Sequence, residues 1–314
     1  MAATRLARTV LVLSGILLLV FVVVRAVPGD PAVSILGEQA PADELNRLRH
    51  EMGLDRSLPE QLGTYVGQVL DGTLGRPWSR RAPDLTVSDL VFDALPFTFE
   101  LALAAVLVAA MLALPLGLAC ALHRNRPLDH AALAVTLVGL AMPGFWLGPL
   151  LIHAFCVRLH LLPDPASGMQ GLSTLLLPAF VLGLALTARL TRMVRTSVLD
   201  VLDQPYVLAA RARGIPGRRI IVRHVLRNAL IPVVTVLGLQ FAALLSGAIV
   251  TEKVFARPGL GTLLLDGIAV RDYAVVQGTT LVIGFIYVAV NLVVDVLYLA
   301  IDPRLARNRG RAAT

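Results

Sequence analysis

Stretches without Asp, Glu, Lys, Arg or His recur along the chain at 9–24, 101–122, 131–152, 165–188, 228–251 and 273–294. A hydrocarbon core about 30 Å thick is crossed by roughly 20 apolar residues in a helix. Five of the stretches reach that length. The first is shorter, and it extends through Val27 if Arg25 snorkels to the interface. Its short apolar core also fits a cleaved signal peptide. One such run could be a buried helix of a soluble protein, but six in one chain predict an all-α polytopic membrane protein with six transmembrane helices.

The polar segments between the runs are unequal. Residues 28–96 form the longest, with eleven acids against six arginines. Pro41-Ala42-Asp43-Glu44 reads as a helix start with acids in its first turn. Leu45, Leu48 and Met52 follow at helical spacing, and Gly53 supplies a stop. A second helix is predicted from Pro59 to about Leu70. The segment is therefore a small folded helical cap. Residues 189–227 carry nine arginines, each costing roughly 2.5–3.5 kcal/mol at a bilayer centre, so they form a loop outside the hydrocarbon.

That loop has its own punctuation. Asp200 to Gly214 reads as a helix, with Asp203 placed to cap it, Pro205 in the first turn, and Gly214 at the left-handed position beyond its end. Tyr206, Ala209, Ala210 and Arg213 fall at i, i+3, i+4 and i+7 and so share a face. The paired alanines on that face permit close approach by another surface. A second helix is predicted from about Gly217 into the fifth apolar run. A basic loop lying on lipid headgroups is the bland alternative. The caps, small residues and glycine stop favour protein docking.

Composition agrees with the pattern. The chain is 56% hydrophobic and only 16% charged, with a mean hydropathy of +0.75, where soluble domains carry about 25% charged residues. A cytoplasmic N-terminus places seventeen arginines in the inside segments, whereas the short outside loops hold Arg158, Lys253, Arg257 and Arg271. Both termini are then inside and the 28–96 cap is extracytoplasmic. Lys253 is the one lysine, and it follows Thr251-Glu252. A phosphate-cradling loop needs a Gly-rich turn before its lysine, so this chain cannot supply that ATP site. Cys120 and Cys156 lie in apolar stretches and form no disulfide framework.

Several motifs in order carry a resemblance. They are PGDP at 28–31, MGLD at 52–55, AMPGFWLG at 141–148 and ARLTRMVRTSVLDVL at 188–202. YVLAARARGIPGRRIIVRHVLRNALIPVVTVLG follows at 206–238, then GAIVTEKVFARPGLG at 247–261, RDYAVVQG at 271–278 and NLVVDVLYLAIDPR at 291–304. Together they resemble the B-type permease subunit of the dipeptide, oligopeptide and nickel ABC importer family, with the 206–238 segment similar to its EAA-type coupling loop. Ala274 stands where the family usually has proline, Pro216 where it often has a small polar residue, and Arg211 and Arg213 replace a mixture of Arg and Lys.

The resemblance implies a transport subunit, not an enzyme, that translocates a peptide or a nickel or other metal chelate across the inner membrane by alternating access. It implies two cytoplasmic ATP-binding subunits holding ATP and Mg, a second homologous permease, and an extracytoplasmic substrate-binding protein. The only other partner is membrane lipid, with no nucleic acid and no cofactor in this chain. Tyr206, Ala209, Ala210, Arg211 and Gly214 are the expected ATPase contacts. The expected divisions are 1–27 as cytoplasmic N-terminus and first span, 28–96 as cap, 97–302 as permease core with a coupling loop at 200–227, and 303–314 as cytoplasmic tail.

Gly238, Gln240, Ser246 and Gly247 in the fifth run are candidates for the translocation path, with helix packing the equal alternative. Asp295 near the inner end of the sixth run is a functional candidate as an intramembrane acid, although pairing with an interfacial arginine explains it better. His153 and His160 lack a third ligand, and no HExxH is present, so no metal site is expected. Importers of glutathione or other small solutes remain open. So does an ion-coupled secondary transporter, which would be expected to place carboxylates at midplane.

Overall fold

The computed structural model describes residues 2–80, 84–168 and 171–301, and among the described residues the regular structure is helical throughout. In chain order the helices are α1 (Ala2–Ala26), α2 (Pro31–Leu36), α3 (Ala42–Glu51), α4 (Leu58–Leu70), α5 (Val87–Leu122), α6 (Pro127–Ala141) and α7 (Gly144–Ile152). They continue with α8 (Leu172–Leu202), α9 (Pro205–Ala212), α10 (Gly217–Arg219), α11 (Arg227–Gly247), α12 (Ile249–Val254), α13 (Leu260–Ala269) and α14 (Tyr273–Ile301). Among the described residues five helices are long and apolar enough to cross a membrane, and α6 with α7, bent by 91° at the break between them, bring the number to six when the pair is counted as one broken span. The expected tail at 303–314 lies outside the described residues.

The third apolar run is therefore not one straight helix. Pro143 lacks an N–H and pushes the residue before it out of helical geometry; Met142 sits at φ −79°, ψ 118°. Other boundaries also move. α5 begins at Val87, within the segment expected to be cap, because Thr86 and Asp89 cap its start reciprocally. The Asp89 carboxylate accepts from the Thr86 N–H at 2.9 Å, and the Asp89 N–H donates to Thr86 Oγ1 at 3.3 Å. The fourth span starts at Leu172 and stays helical to Leu202, so Arg189, Arg192 and Arg195 extend the span helix.

The chain divides into two compact units, the first comprising Met1–Phe99 with Ala256–Val288 and the second Glu100–Phe255 with the chain from Ala289. In the first unit, Val87, Val91, Leu260, Leu263, Val275 and Leu281 form the core. α1 joins α14 through Val20, Val24 and Val276. The PGDP and RDY motifs meet here. Asp30 caps α2 by accepting from the Ala32 N–H at 2.9 Å and pairs with Arg49 of α3, whose Nε donates at 2.7 Å. Arg271 donates to the Pro28 carbonyl, and the Asp272 carboxylate accepts from the Ser79 N–H at 2.7 Å. Gly29, at φ +127°, lies under the Arg271 guanidinium, where a Cβ would collide.

In the second unit α8 packs against α6, α7 and α11. Glycines set its approach to α5. A Cβ on Gly183 would come 2.8 Å from the Ala105 carbonyl, and one on Gly117 would come 2.6 Å from Val194 Cβ. Small residues allow such close packing where hydrocarbon surrounds the helices.

Candidate functional site

α9 is a short helix that follows the long α8 directly, and its sequence explains its bounds. Pro205 occupies the first turn, Gln204 is the N-cap in extended geometry, and Asp203 instead closes α8. The helix is shorter than the sequence predicts, because Asp200 to Leu202 remain in α8. Beyond Arg213, Gly214 adopts φ +73°, as its left-handed stop requires. The Gly214 N–H donates to the Arg211 carbonyl at 2.9 Å, and the Ile215 N–H to that of Ala210 at 3.3 Å.

Burial sorts the expected docking residues. Val207 and Ala210 are buried, whereas Tyr206, Leu208, Ala209, Arg211 and Gly214 are exposed. Thus Ala210 anchors α9 to its own chain, and the outward side carries Leu208 and Ala209. α9 packs on the π-type turn Ile220–Leu226, which runs into α11. Tyr206 adds a polar tie: Asn228 Nδ2 in the first turn of α11 donates to its hydroxyl at 2.8 Å and to the His224 carbonyl at 3.0 Å. A displacement of α9 is thereby linked to the fifth span by a packed side and a hydrogen bond.

A second link went unmarked by sequence reasoning. Asp129, in the first turn of α6, is 1% exposed and accepts from Arg195 Nε at 2.8 Å and from its terminal nitrogen at 2.7 Å. The Asn125 N–H donates to the same carboxylate at 3.0 Å. This bidentate pair holds the α5–α6 turn and the start of α6 to the last two turns of α8, just before α9. An acid in a first turn opposite an arginine is the sole sequence signal, and 66 residues separate the two.

The candidate path residues divide. A Cβ on Gly238 would lie 2.8 Å from Val294 Cγ2, so this glycine serves the packing of α11 on α14. Gln240 is partly exposed, while the side chains of Ser246 and Asp295 and the surroundings of Gly247 lie outside the described residues. His153 and His160 are both exposed. Among the described residues no group of three His, Cys, Asp or Glu side chains is arranged to hold a metal.

The chain matches the family of binding-protein-dependent transport system inner membrane components over residues 113–307, and that family's N-terminal region over residues 2–102. The chain belongs to this family and is a multi-pass inner membrane permease subunit. It is 37% identical over 307 residues to a putative peptide transport system permease protein of Brucella abortus, covering 96% of this chain and 97% of that one. It is 40% identical over 287 residues to the glutathione transport system permease protein GsiC of Escherichia coli, covering 91% and 92%. The di/tripeptide transport system permease protein DppB of Pseudomonas aeruginosa is 39% identical over 334 residues, with 98% of each chain covered. Among solved structures, the inward-facing MetNI methionine ABC transporter shares the fold at a TM-score of 0.57 and 19% identity, covering 68% of this chain and 96% of that one.

Proposed function

We propose that the chain is the permease of an ATP-driven importer of small peptides, in which α9 receives the stroke of a separate ATPase. The observation that carries this is α9 itself: anchored inward by Val207 and Ala210, it turns Leu208, Ala209 and Arg211 outward beyond the spans. On this reading the arginine-rich loop and both termini are cytoplasmic, and the segment after α1 is an extracytoplasmic cap. The assembly contains two cytoplasmic ATP-binding subunits, which bind ATP and Mg, a second related permease, and a binding protein that docks on the cap. Relatives named for peptides and glutathione favour a peptide-type cargo over a nickel chelate.

Mechanistically, closure of the ATP-binding subunits displaces α9. Its packing on the 220–226 turn and the Asn228–Tyr206 bond pass the displacement to α11. The spans then re-pack between inward-open and outward-open states, whose populations the ligands bias. The test is uptake of a labelled dipeptide by cells carrying Leu208→Glu or Ala209→Asp, with membrane insertion and ATPase co-purification measured alongside. Uptake should fall about tenfold or more while insertion persists. Parental uptake in both variants would defeat the docking role. Uptake that ignores ATP depletion and collapses with the proton gradient would favour an ion-coupled carrier instead.

A further inference from the structure

The first unit contains a cavity of about 190 Å³ between the end of α1, the α3–α4 connection, the 76–78 strap and the start of α14. Its walls carry three guanidinium groups, from Arg25, Arg56 and Arg76, together with Tyr65, Trp78 and Gln277. Glu51 is the one carboxylate among the lining residues, so the lining has a net positive charge. Among the described residues none of the three arginines forms an ion pair. Arg25 donates from Nε to Gln61 Oε1 at 2.8 Å and from one terminal nitrogen to the Phe21 carbonyl at 3.2 Å. Arg76 lies 5.4 Å from the Trp78 ring.

Gln277 supplies an independent observation. It is 4% exposed, lines the cavity, and its Nε2 has no hydrogen-bond partner. A buried amide donor left unmade is destabilising unless something in the cavity accepts from it. Its neighbour Tyr65, 3% exposed, donates its hydroxyl proton to the Gln277 carbonyl at 3.4 Å. Burial pushes the Tyr65 phenol up to about 12, so it remains a neutral donor. The walls therefore offer three guanidinium groups against one carboxylate, together with an amide N–H that has no partner. Guanidinium forks and an amide N–H are suited to planar or tetrahedral oxyanions.

We propose that this cavity is an oxyanion subsite, in which Arg25, Arg56, Arg76 and the Gln277 amide hold a carboxylate or phosphate group. The group belongs either to a small solute that enters from the aqueous side or to an anionic lipid headgroup at the end of α1. The subsite is independent of the docking role of α9, and it is tested without transport.

Trp78 lies in the wall, and the chain's only other tryptophan is Trp146. In a Trp146→Phe background, the full chain in its purified assembly is placed in phosphatidylcholine nanodiscs. It is titrated with glycylglycine and with glycylglycine amide, which differ in the carboxylate. A tryptophan in any co-purifying subunit is subtracted with a Trp78→Phe control. Glycylglycine should change Trp78 emission saturably, about tenfold more tightly than the amide, and added salt should weaken it. Gln277→Leu and Arg56→Ala should each weaken binding about fivefold or more. The conservative Gln277→Glu should do the same through charge if the leucine variant fails to assemble.

A second arm repeats the measurement in phosphatidylglycerol discs. An emission change on moving to that lipid, lost in the same variants, assigns the oxyanion to a headgroup. Equal responses to acid and amide, no dependence on phosphatidylglycerol, and indifference to the variants would show a water-filled space and overturn the subsite.

Discussion

Removing Arg195 tests whether α6 and α8 are fastened by charge. In Arg195→Ala the Asp129 carboxylate keeps its burial and the Asn125 N–H but loses two charge-assisted hydrogen bonds. Breaking a buried pair by taking one partner costs about 3–5 kcal/mol, because the other charge is left uncompensated. The Arg195 side chain is 21% exposed, which favours the lower end, about 3 kcal/mol. Replacing both partners, as in Asp129→Ala with Arg195→Ala, removes the stranded charge and should return at least half of the loss. The assay is thermal unfolding of the detergent-solubilised assembly, run at one scan rate for the parent, both single variants and the double variant. At roughly 2–4 °C per kcal/mol, Arg195→Ala should melt ~6–12 °C early, with the double variant well above it. Additive losses, or a shift below ~2 °C in Arg195→Ala, would refute the claim that this pair fastens the two helices.

Gly183→Val should separate α5 from α8, since its first carbon already lies 2.8 Å from a backbone carbonyl that cannot rotate away. A loss of about 1–3 kcal/mol is expected, read as a lower melting temperature, and parental stability would count against the close approach. The cap should respond to acid through Asp55. The His50 ring nitrogen, 2.7 Å away, holds its carboxyl below the usual carboxylate range, first through that hydrogen bond. A depressed folded value means that the contribution is complete above about pH 4 and disappears as pH falls through the folded value. Protease protection of the cap should therefore differ between the parent and His50→Ala at neutral pH and converge in acid. A difference that persists unchanged into acid would contradict the assignment.

The spans were legible because a charge-free stretch of 20 residues has few other uses, and the resemblance added the order of the motifs. What the apolar pattern missed lies at the ends. Charge-free runs ignore helical caps, so the Thr86–Asp89 box that starts α5 leaves no mark in the apolar pattern. Pro143 was visible within the third run, but a proline indicates a break without giving the direction of the next segment. On α9, helical periodicity grouped Ala209 with Ala210, and either alanine could have faced inward. Val207, three residues before Ala210, decides it, because its apolar branch gains from burial on the 220–226 turn. The Asp129–Arg195 pair and the Gln277 wall are of a different kind. Each depends on segments distant in sequence that only the assembled helices bring together, and neither partner's neighbours specify the other. Burial of an acid in a first turn or of an amide in an apolar span is costly unless a partner arrives. Such residues mark where a partner is needed: for Asp129 the fold supplies Arg195 from within the chain, and for Gln277 the proposed oxyanion would fill that place.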